Sequence, residues 1–299
     1  MNRPAGKKAF RKALRGLPLV FLALVLWREK PWTVHLAPGA PWAIAAAIVV
    51  NLVIALPLKA VRWGVALRDP PPFRRMLAAT LEGMLANAAL GVGSGDVVRA
   101  ARLRKQLAVD YACTWAERGA EALAFAILLL VAALLARLGA LALALSALPA
   151  AIYAVLVGAG RWLVPRLGRW PRAQHALASG LEASTPRRVA AMVGLSLLAW
   201  ASEVVMLVIF QSVFHLPPSV RTALVTLIGI NAAIAIPAVP GNFGTFEAGA
   251  AAALVFCGAP RDVAISFALT YHLSHVVPVA LLGTLVSLRR PATAVADKG

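Results

Sequence analysis

Long apolar stretches alternate with short basic stretches along the whole chain. The apolar segments centre on 14–28, 41–59, 76–92, 111–136, 140–160, 189–211, 222–238, 245–257 and 263–288. Most are long enough to cross the hydrocarbon core of a bilayer as helices, and lipid accepts few other backbone structures. The pattern therefore predicts an all-α polytopic membrane protein.

One apolar tract is interrupted by residues that a membrane helix does not readily accommodate. The segment PAVPGNFGTFE at 237–247 contains two prolines, two glycines and a carboxylate. Such a break leaves backbone amides without helical partners, so it must be buried in protein or line a wet cavity. We expect a functional site at this break.

Basic residues flank the third apolar segment, 76–92, on both sides. They are Lys59, Arg62, Arg68, Arg74 and Arg75 before it and Arg99, Arg102, Arg104 and Lys105 after it. The positive-inside rule places both flanks in the cytoplasm, so this segment should enter the membrane and turn back. The sequence GVGSGD at 91–96 supplies three glycines for the bend. By the same rule both termini are cytoplasmic, and the break at 237–247 is approached from outside.

The resulting order of elements repeats once with every direction reversed. We expect about six full transmembrane helices plus two oppositely oriented re-entrant helical hairpins. They would form an inverted repeat, with halves at about 14–136 and 140–288, in a single membrane domain 1–299. NAAL at 87–90 and DYACTWA at 110–116 recur in the same order as NAAI at 231–234 and DVAISFA at 262–268. Inverted repeats with broken helices are typical of transporters.

Composition agrees with a membrane protein and adds a strong positive charge. The 299 residues are 61% hydrophobic and 14% charged, and the net charge is +18. A basic chain can bind nucleic acid or an anionic membrane surface, and the apolar runs favour the membrane. Cys113 and Cys257 are too few for a disulfide framework or a metal cluster. We expect no cofactor, no metal and no nucleic-acid partner.

The basic N-terminus followed by an apolar stretch also has the form of a signal peptide. No small-residue cleavage site follows, and the sequence WREKPW stands there instead. We therefore expect a retained first span, and a cleaved leader is the alternative.

Three charged residues lie near the start of the span that begins at 111. Glu117 and Glu121 share one helix face, and Arg118 points away from it. Ionised groups within a membrane usually face the protein interior and have partners. A guanidinium can bind a phosphate bidentately, so we expect Arg118 to bind a headgroup and the two glutamates to orient or balance it. A structural ion pair is the alternative.

The two breaks supply further candidates. Glu247 stands where a new helix begins, so its carboxylate would cap that helix, or would hold an Arg, a proton or a cationic headgroup. In the second case the amides from Gly241 to Gly244 would receive an anion. Asp96 and Arg99 hold the corresponding place in the first hairpin, unless GSGD is an ordinary cytoplasmic turn.

Other polar residues within apolar segments are expected to be interior partners. Glu82 and Glu203 belong to this group. His272 and His275 are three apart, a spacing that can chelate metal, but no third ligand completes the set. We expect interhelical hydrogen bonds from them. No nucleophile elbow, P-loop or zinc-protease pattern occurs, so any enzymatic activity would lie within the membrane.

Four motifs together resemble the lysylphosphatidylglycerol synthase transmembrane family, also called flippase-like, over nearly the whole chain. They are LKAVRW at 58–63, GSGDVVRA at 93–100, ERGAE at 117–121 and PAVPGNFGTFE. The positions that match the family's patterns are Pro237, Pro240, Gly241, Gly244, Glu247, Gly95, Asp96, Arg99, Glu117 and Arg118. The chain departs from those patterns at Asn242, where a second Gly is usual, at His272, where Arg is frequent, and in having no Pro that leads into GSGD.

The resemblance implies a function in lipid movement. In the best-known members this region translocates lysyl-phosphatidylglycerol that a following soluble domain makes, while stand-alone members are associated with hopanoid, glycolipid or polyprenyl-linked pathways. We expect no synthase activity from these 299 residues. The expected function is a translocase of an anionic or zwitterionic, phosphate-bearing lipid in a bacterial inner membrane, with lipid-biosynthesis proteins as candidate partners.

Two other functions remain open at this point. One is an intramembrane enzyme that uses Glu247 or Glu117 as a base. The other is a non-catalytic scaffold whose basic loops attract anionic headgroups.

Overall fold

A computed structural model describes residues 27, 34–91, 93–103, 107–136, 139–235 and 240–288. The expected first span, 14–28, lies outside these residues apart from Trp27, as does Pro237. The regular elements of the described residues are helices, which confirms the all-α polytopic class.

The helices follow one another with short connections. They are α1 (Ala40–Val50), α2 (Leu56–Ala66), α3 (Phe73–Leu90), α4 (Ser94–Leu103), α5 (Leu107–Ala136), α6 (Ala140–Leu163), α7 (Pro171–Ala183), α8 (Pro186–Val213), α9 (Val220–Ile234), α10 (Thr245–Phe256) and α11 (Arg261–Leu288). A π-helical turn, Asn51–Ala55, joins α1 to α2 just before Pro57, and 3₁₀ turns cover Val164–Leu167 and Pro240–Asn242. Proline cannot donate to a helical ladder, and the π turn accommodates it.

Five helical segments of the described residues are long and apolar enough to cross a membrane. They are Ala40–Ala66, Leu107–Leu135, Ser146–Leu167, Pro186–Val213 and Arg261–Leu288. Two shorter apolar helices, Val220–Ile234 and Thr245–Phe256, coincide with the second expected hairpin. Helices α3 and α4 coincide with the first one. The re-entrant position of both hairpins and the inverted repeat stay predictions, because no membrane boundary is defined.

One compact unit comprises the described residues of 52–86, 93–200 and 277–288. Trp63 is fully buried in its apolar core, among small residues such as Ala60, Ala79 and Ala120. Helices α3 and α4 approach closely where Gly83 meets Gly95, since a Cβ on Gly83 would stand 2.8 Å from the Gly95 carbonyl oxygen. The close approach positions the charged residues of α4.

The other compact unit comprises the described residues of 34–51, 87–91 and 201–276. Helices α9 and α10 pack as a hairpin through two facing glycines. A Cβ on Gly249 would lie 2.4 Å from the carbonyl oxygen of Gly229. Phe210 packs edge-on against Phe267 and Tyr271, at centroid distances of 5.8 and 5.0 Å. This aromatic packing fixes α11 against α8 within the unit.

Candidate functional site

Six charged side chains of α2, α4 and α5 form a closed ring in the unit that contains Trp63. We call this set the charge ring, and its members in order are Arg62, Glu117, Arg99, Asp96, Arg118 and Glu121. Three guanidinium groups alternate with three carboxylates, so the formal charges of the ring cancel. A neutral, mutually bonded set is the arrangement in which several charges can leave water together.

The inner part of the charge ring is buried. Glu117 is fully buried, and Arg62 donates from Nε to its Oε1 at 3.0 Å while Arg99 donates from Nη2 to its Oε2 at 2.9 Å. Arg62 also donates from Nη1 to the hydroxyl of Ser196 at 3.0 Å. Both oxygens of Glu117 are therefore occupied by guanidinium donors.

The outer part of the charge ring is accessible. The side chain of Arg118 is 42% exposed, and it donates from Nε and Nη2 to the two oxygens of Asp96 at 3.0 and 2.7 Å. Its Nη1 donates to Glu121 Oε2 at 2.6 Å. Arg99 and Arg62 close the ring through Asp96 Oδ1 and Glu121 Oε1, at 2.7 and 3.0 Å. Arg118 is thus the ring cation that a ligand can reach.

Asp96 lies in the first turn of α4, outside the candidate membrane spans. Burial alone would raise the pKa of its carboxyl group. The hydrogen bonds and charge of Arg118, followed by those of Arg99, outweigh burial and hold the pKa of Asp96 below its ordinary value. Asp96 is therefore an anion at neutral pH.

The indole ring of Trp63 lies against the guanidinium group of Arg99. Its indole Nε1 donates to the Thr114 hydroxyl at 3.1 Å, and the Cζ atom of Arg99 lies 5.1 Å from the ring centroid. A cation over an indole face at this distance gains electrostatic stabilisation. Trp63 therefore contacts both the apolar core and the charge ring.

A second arrangement lies at the helix break of the other unit. Gly241, Asn242 and Gly244 have φ angles of 70°, 57° and 85°, in the left-handed region that favours glycine. A Cβ on Gly241 would stand 3.0 Å from the ring of Phe243 and 3.3 Å from the carbonyl oxygen of Ala88. The turn leaves no room for a side chain at 241.

Glu247 and His272 form a buried pair at this break. The Oε2 atom of Glu247 accepts from the Gly244 amide at 2.7 Å, and its Oε1 lies 2.8 Å from Nδ1 of His272. The side chains are 6% and 3% exposed. The imidazole stacks on Phe246 with a centroid distance of 4.1 Å and an interplanar angle of 9°. The carboxylate therefore caps α10 and also binds α11.

The amide of Gly244 is not available to an anion, contrary to that part of the sequence expectation. The backbone turn brings its N–H to the Glu247 carboxylate, which occupies it. Pro240, another sequence candidate, begins the 3₁₀ turn Pro240–Asn242.

Glu203 forms a third polar contact, also in the unit with the helix break. Its Oε2 accepts from the Tyr271 hydroxyl at 3.1 Å and lies 3.1 Å from Nε2 of His275. The expectation of interhelical hydrogen bonds from His272 and His275 is confirmed by these two glutamate contacts. Glu82 is likewise paired, with Arg102 of α4.

The structure gathers five of the sequence candidates into the charge ring and adds Arg62, which was counted only as a cytoplasmic flank, as the sixth member. Ser196, which accepts from Arg62, was also given no role by sequence reasoning. An isolated arginine between apolar neighbours, within LKAVRW, was the available signal for Arg62. Nothing in the local sequence indicated Ser196.

Buried ionisable clusters, a broken helix and five candidate spans among the described residues define a polytopic α-helical membrane protein with polar sites between its helices. The family model described as the lysylphosphatidylglycerol synthase TM region matches residues 8–283, so the chain belongs to this family. It is therefore a multi-pass membrane protein of lipid metabolism or transport. No curated protein and no solved structure matches the sequence.

Proposed function

We propose that the protein is a translocase that moves a phosphate-bearing anionic or zwitterionic lipid between the leaflets of a bacterial inner membrane. One observation supports this most directly: Arg118 is an accessible guanidinium whose position is fixed by a buried, charge-balanced ring. In this proposal both termini are cytoplasmic, and proteins of lipid biosynthesis supply or receive the lipid.

A headgroup phosphate is matched to Arg118 by geometry. Asp96 already occupies two donors of this guanidinium in the bidentate manner that phosphate also uses. Charge-assisted hydrogen bonds contribute roughly 1.5–3 kcal/mol each. Exchanging a carboxylate for a phosphate is therefore close to balanced, which suits a site that must bind and then release its ligand.

The inner ring supports the exchange. Glu117 stays bonded to Arg62 and Arg99 when the outer pair opens, so no buried charge loses its partner. The same bonds make Glu117 a poor general base, because both of its carboxylate oxygens already accept hydrogen bonds from guanidinium donors. The contacts thus favour a binding role for the ring over an enzymatic one.

Translocation can be tested in liposomes with headgroup-labelled lipids and a membrane-impermeant quencher. We expect wild-type protein to expose the inner-leaflet label faster than protein-free liposomes do. Arg118→Ala should slow this by about 10- to 100-fold, which corresponds to a net loss of about one charge-assisted hydrogen bond. Arg118→Lys should retain an intermediate rate, because lysine keeps the charge without the fork.

Arg166→Ala is the matched control. This arginine is exposed, contacts Trp162 on the same helical segment, and is not a member of the charge ring. We expect its rate to equal the wild-type rate. Wild-type rates no faster than those of protein-free liposomes across anionic and zwitterionic lipids would refute the translocase proposal.

A further inference from the structure

The Glu247–His272 pair differs from the charge ring in how its charge is balanced. The ring opposes each carboxylate with guanidinium groups that are always charged. Within the described residues, the ion-pair partner of Glu247 is a histidine, whose charge depends on a bound proton. Imidazole is the side chain that ordinarily changes charge between about pH 5 and 8.

Other ionisable groups among the described residues of this unit lie mainly on three helices. They are Glu203 on α8, Arg221 on α9, and Arg261, Asp262, Tyr271 and His275 on α11, and His35, His215 and Cys257 lie outside these helices. α10 contributes Glu247 alone.

The two arginines stand at helix starts. Arg261 lies eleven residues before His272 on α11, which is about 16 Å along a helix. Arg221 lies in the first turn of α9, near Cys257. Neither forms an ion pair with Glu247 among the described residues. Glu203, Tyr271 and His275 bond to one another within the unit.

One proton therefore decides the charge of the pair. With an ionised carboxylate and a neutral imidazole, the pair has a net charge of −1 while almost fully buried. An added proton brings the pair to zero, whichever of the two groups holds it. The Gly244 amide and the start of α10 compensate this charge only in part. Burying the remaining charge is costly, so the proton-free pair favours access to water and the proton-bound pair favours a closed site.

We propose that Glu247 and His272 form a proton-binding site that loads and releases one proton as a unit. Coupling of this proton to lipid movement rests on the proposed translocase function. The proton comes from bulk water on one side, is held between Oε1 and Nδ1, and returns to bulk water. No other bond forms or breaks, and no electron is transferred.

Proton binding is measured first, with purified full-length protein and a pH-indicator dye. A shift from about pH 8 to about pH 5 covers the ordinary range of imidazole. We expect the Glu247→Gln/His272→Gln double variant to take up about one proton fewer per chain than wild type, because it lacks both groups that would hold the proton. Equal uptake by the two proteins overturns the site.

His275→Gln and Glu247→Gln make the result specific. His275 is also bonded to a glutamate on α8, one turn further along α11. Infrared difference spectra over the same pH range identify the carboxyl band of Glu247 as the band that is lost in Glu247→Gln. This band should change in His272→Gln and should be unchanged in His275→Gln. Should the double variant fail to fold, these single variants decide the question, and a band unaffected by His272→Gln overturns the site.

Coupling is measured separately, in the lipid assay with an imposed pH gradient. We expect the wild-type rate to change at least about threefold with the direction of the gradient, which corresponds to about 0.65 kcal/mol, and His272→Gln to respond to neither direction. An equal response of both proteins overturns the coupling. Absence of lipid movement in wild type at every gradient refutes the translocase function, and the coupling with it, while the dye and infrared results still decide proton binding.

Discussion

Arg118 and Asp96 bind each other through two parallel hydrogen bonds, although 22 positions of sequence separate them. The pair forms the accessible edge of the charge ring, while Glu117, the residue just before Arg118, is fully buried on the inner side. Neighbouring residues of one helix therefore have different positions in the ring: Glu117 is bonded on its inner side, and Arg118 forms its accessible edge.

Replacing Glu117 by glutamine should destabilise the protein strongly. Arg62 and Arg99 would remain buried without the carboxylate that compensates them. Removing one partner of a buried ion pair typically costs about 3–5 kcal/mol. We expect a lower free energy of unfolding in detergent by about that amount. Glu182→Gln, at an exposed position of α7, is the control and should change the free energy by less than about 0.5 kcal/mol. Equal stability of the two variants would contradict a structural role for the inner ring.

The contribution of Asp96 to stability should disappear in acid. Its pKa in the folded protein lies below the ordinary value of 3.8, because Arg118 and Arg99 outweigh the opposing effect of burial. A lowered pKa means that the stabilisation is fully present above the unfolded-state pKa and is lost as pH falls through the folded-state pKa. The stability difference between wild type and Asp96→Asn should be constant above about pH 5 and shrink below about pH 4. If the stability difference between the two proteins instead grew as the pH fell, the pKa of Asp96 would be raised and not lowered by folding.

Lysine at position 62 should not reproduce the hydrogen bonds that Arg62 makes in the charge ring. Arg62 uses Nε for Glu117 and Nη1 for both Glu121 and Ser196, a set of directions that a single ammonium cannot reproduce. We expect Arg62→Lys to lower the free energy of unfolding by roughly 1.5–3 kcal/mol, the contribution of one charge-assisted bond. Arg172→Lys, at an exposed position, is the control and should leave the free energy of unfolding unchanged. Wild-type stability in Arg62→Lys would mean that charge alone holds the ring.

A methyl group at Gly249 should disrupt the α9–α10 hairpin. The added Cβ would stand 2.4 Å from the carbonyl oxygen of Gly229 and 2.7 Å from the Ala233 side chain, so the helices must separate. Overpacking of this kind costs about 1–3 kcal/mol. Gly194→Ala is the matched control, because no atom lies within 4 Å of its added Cβ. There alanine should be neutral or stabilise by up to about 1 kcal/mol. Thermal unfolding of the two variants separates the effects.

Helix positions and the two hairpins could be predicted from the sequence, since apolar length, glycine and proline are local signals. α3 ends at Leu90 and α4 begins at Ser94, inside the predicted GVGSGD bend at 91–96, and α9 and α10 lie on either side of PGNFG. The ring's carboxylates were also found, because charge within an apolar segment is conspicuous. The contacts of Arg62 were not found, since Arg62 meets Glu117 across 55 positions and Ser196 across 134. Spacing along one helix cannot encode such contacts.

The helix break illustrates the same limit in a different way. Capping of α10 by Glu247 follows from its position at a helix start, and the sequence predicted it as one of two alternatives. The bond to His272 requires α11 to pack beside α10 in one register, which depends on the aromatic core around Phe267 and Tyr271. Packing of this kind selects one partner among several polar residues of α11.

The carbonyl oxygen of Ala88 lies against Gly241, where a single added carbon would approach it to 3.3 Å. Ala88 belongs to the last turn of α3, and Gly241 belongs to the turn that leads into α10 and Glu247. With no side chain between them, the two backbones approach each other closely. We therefore expect a displacement of the end of α3 to shift the start of α10, and the carboxylate of Glu247 with it.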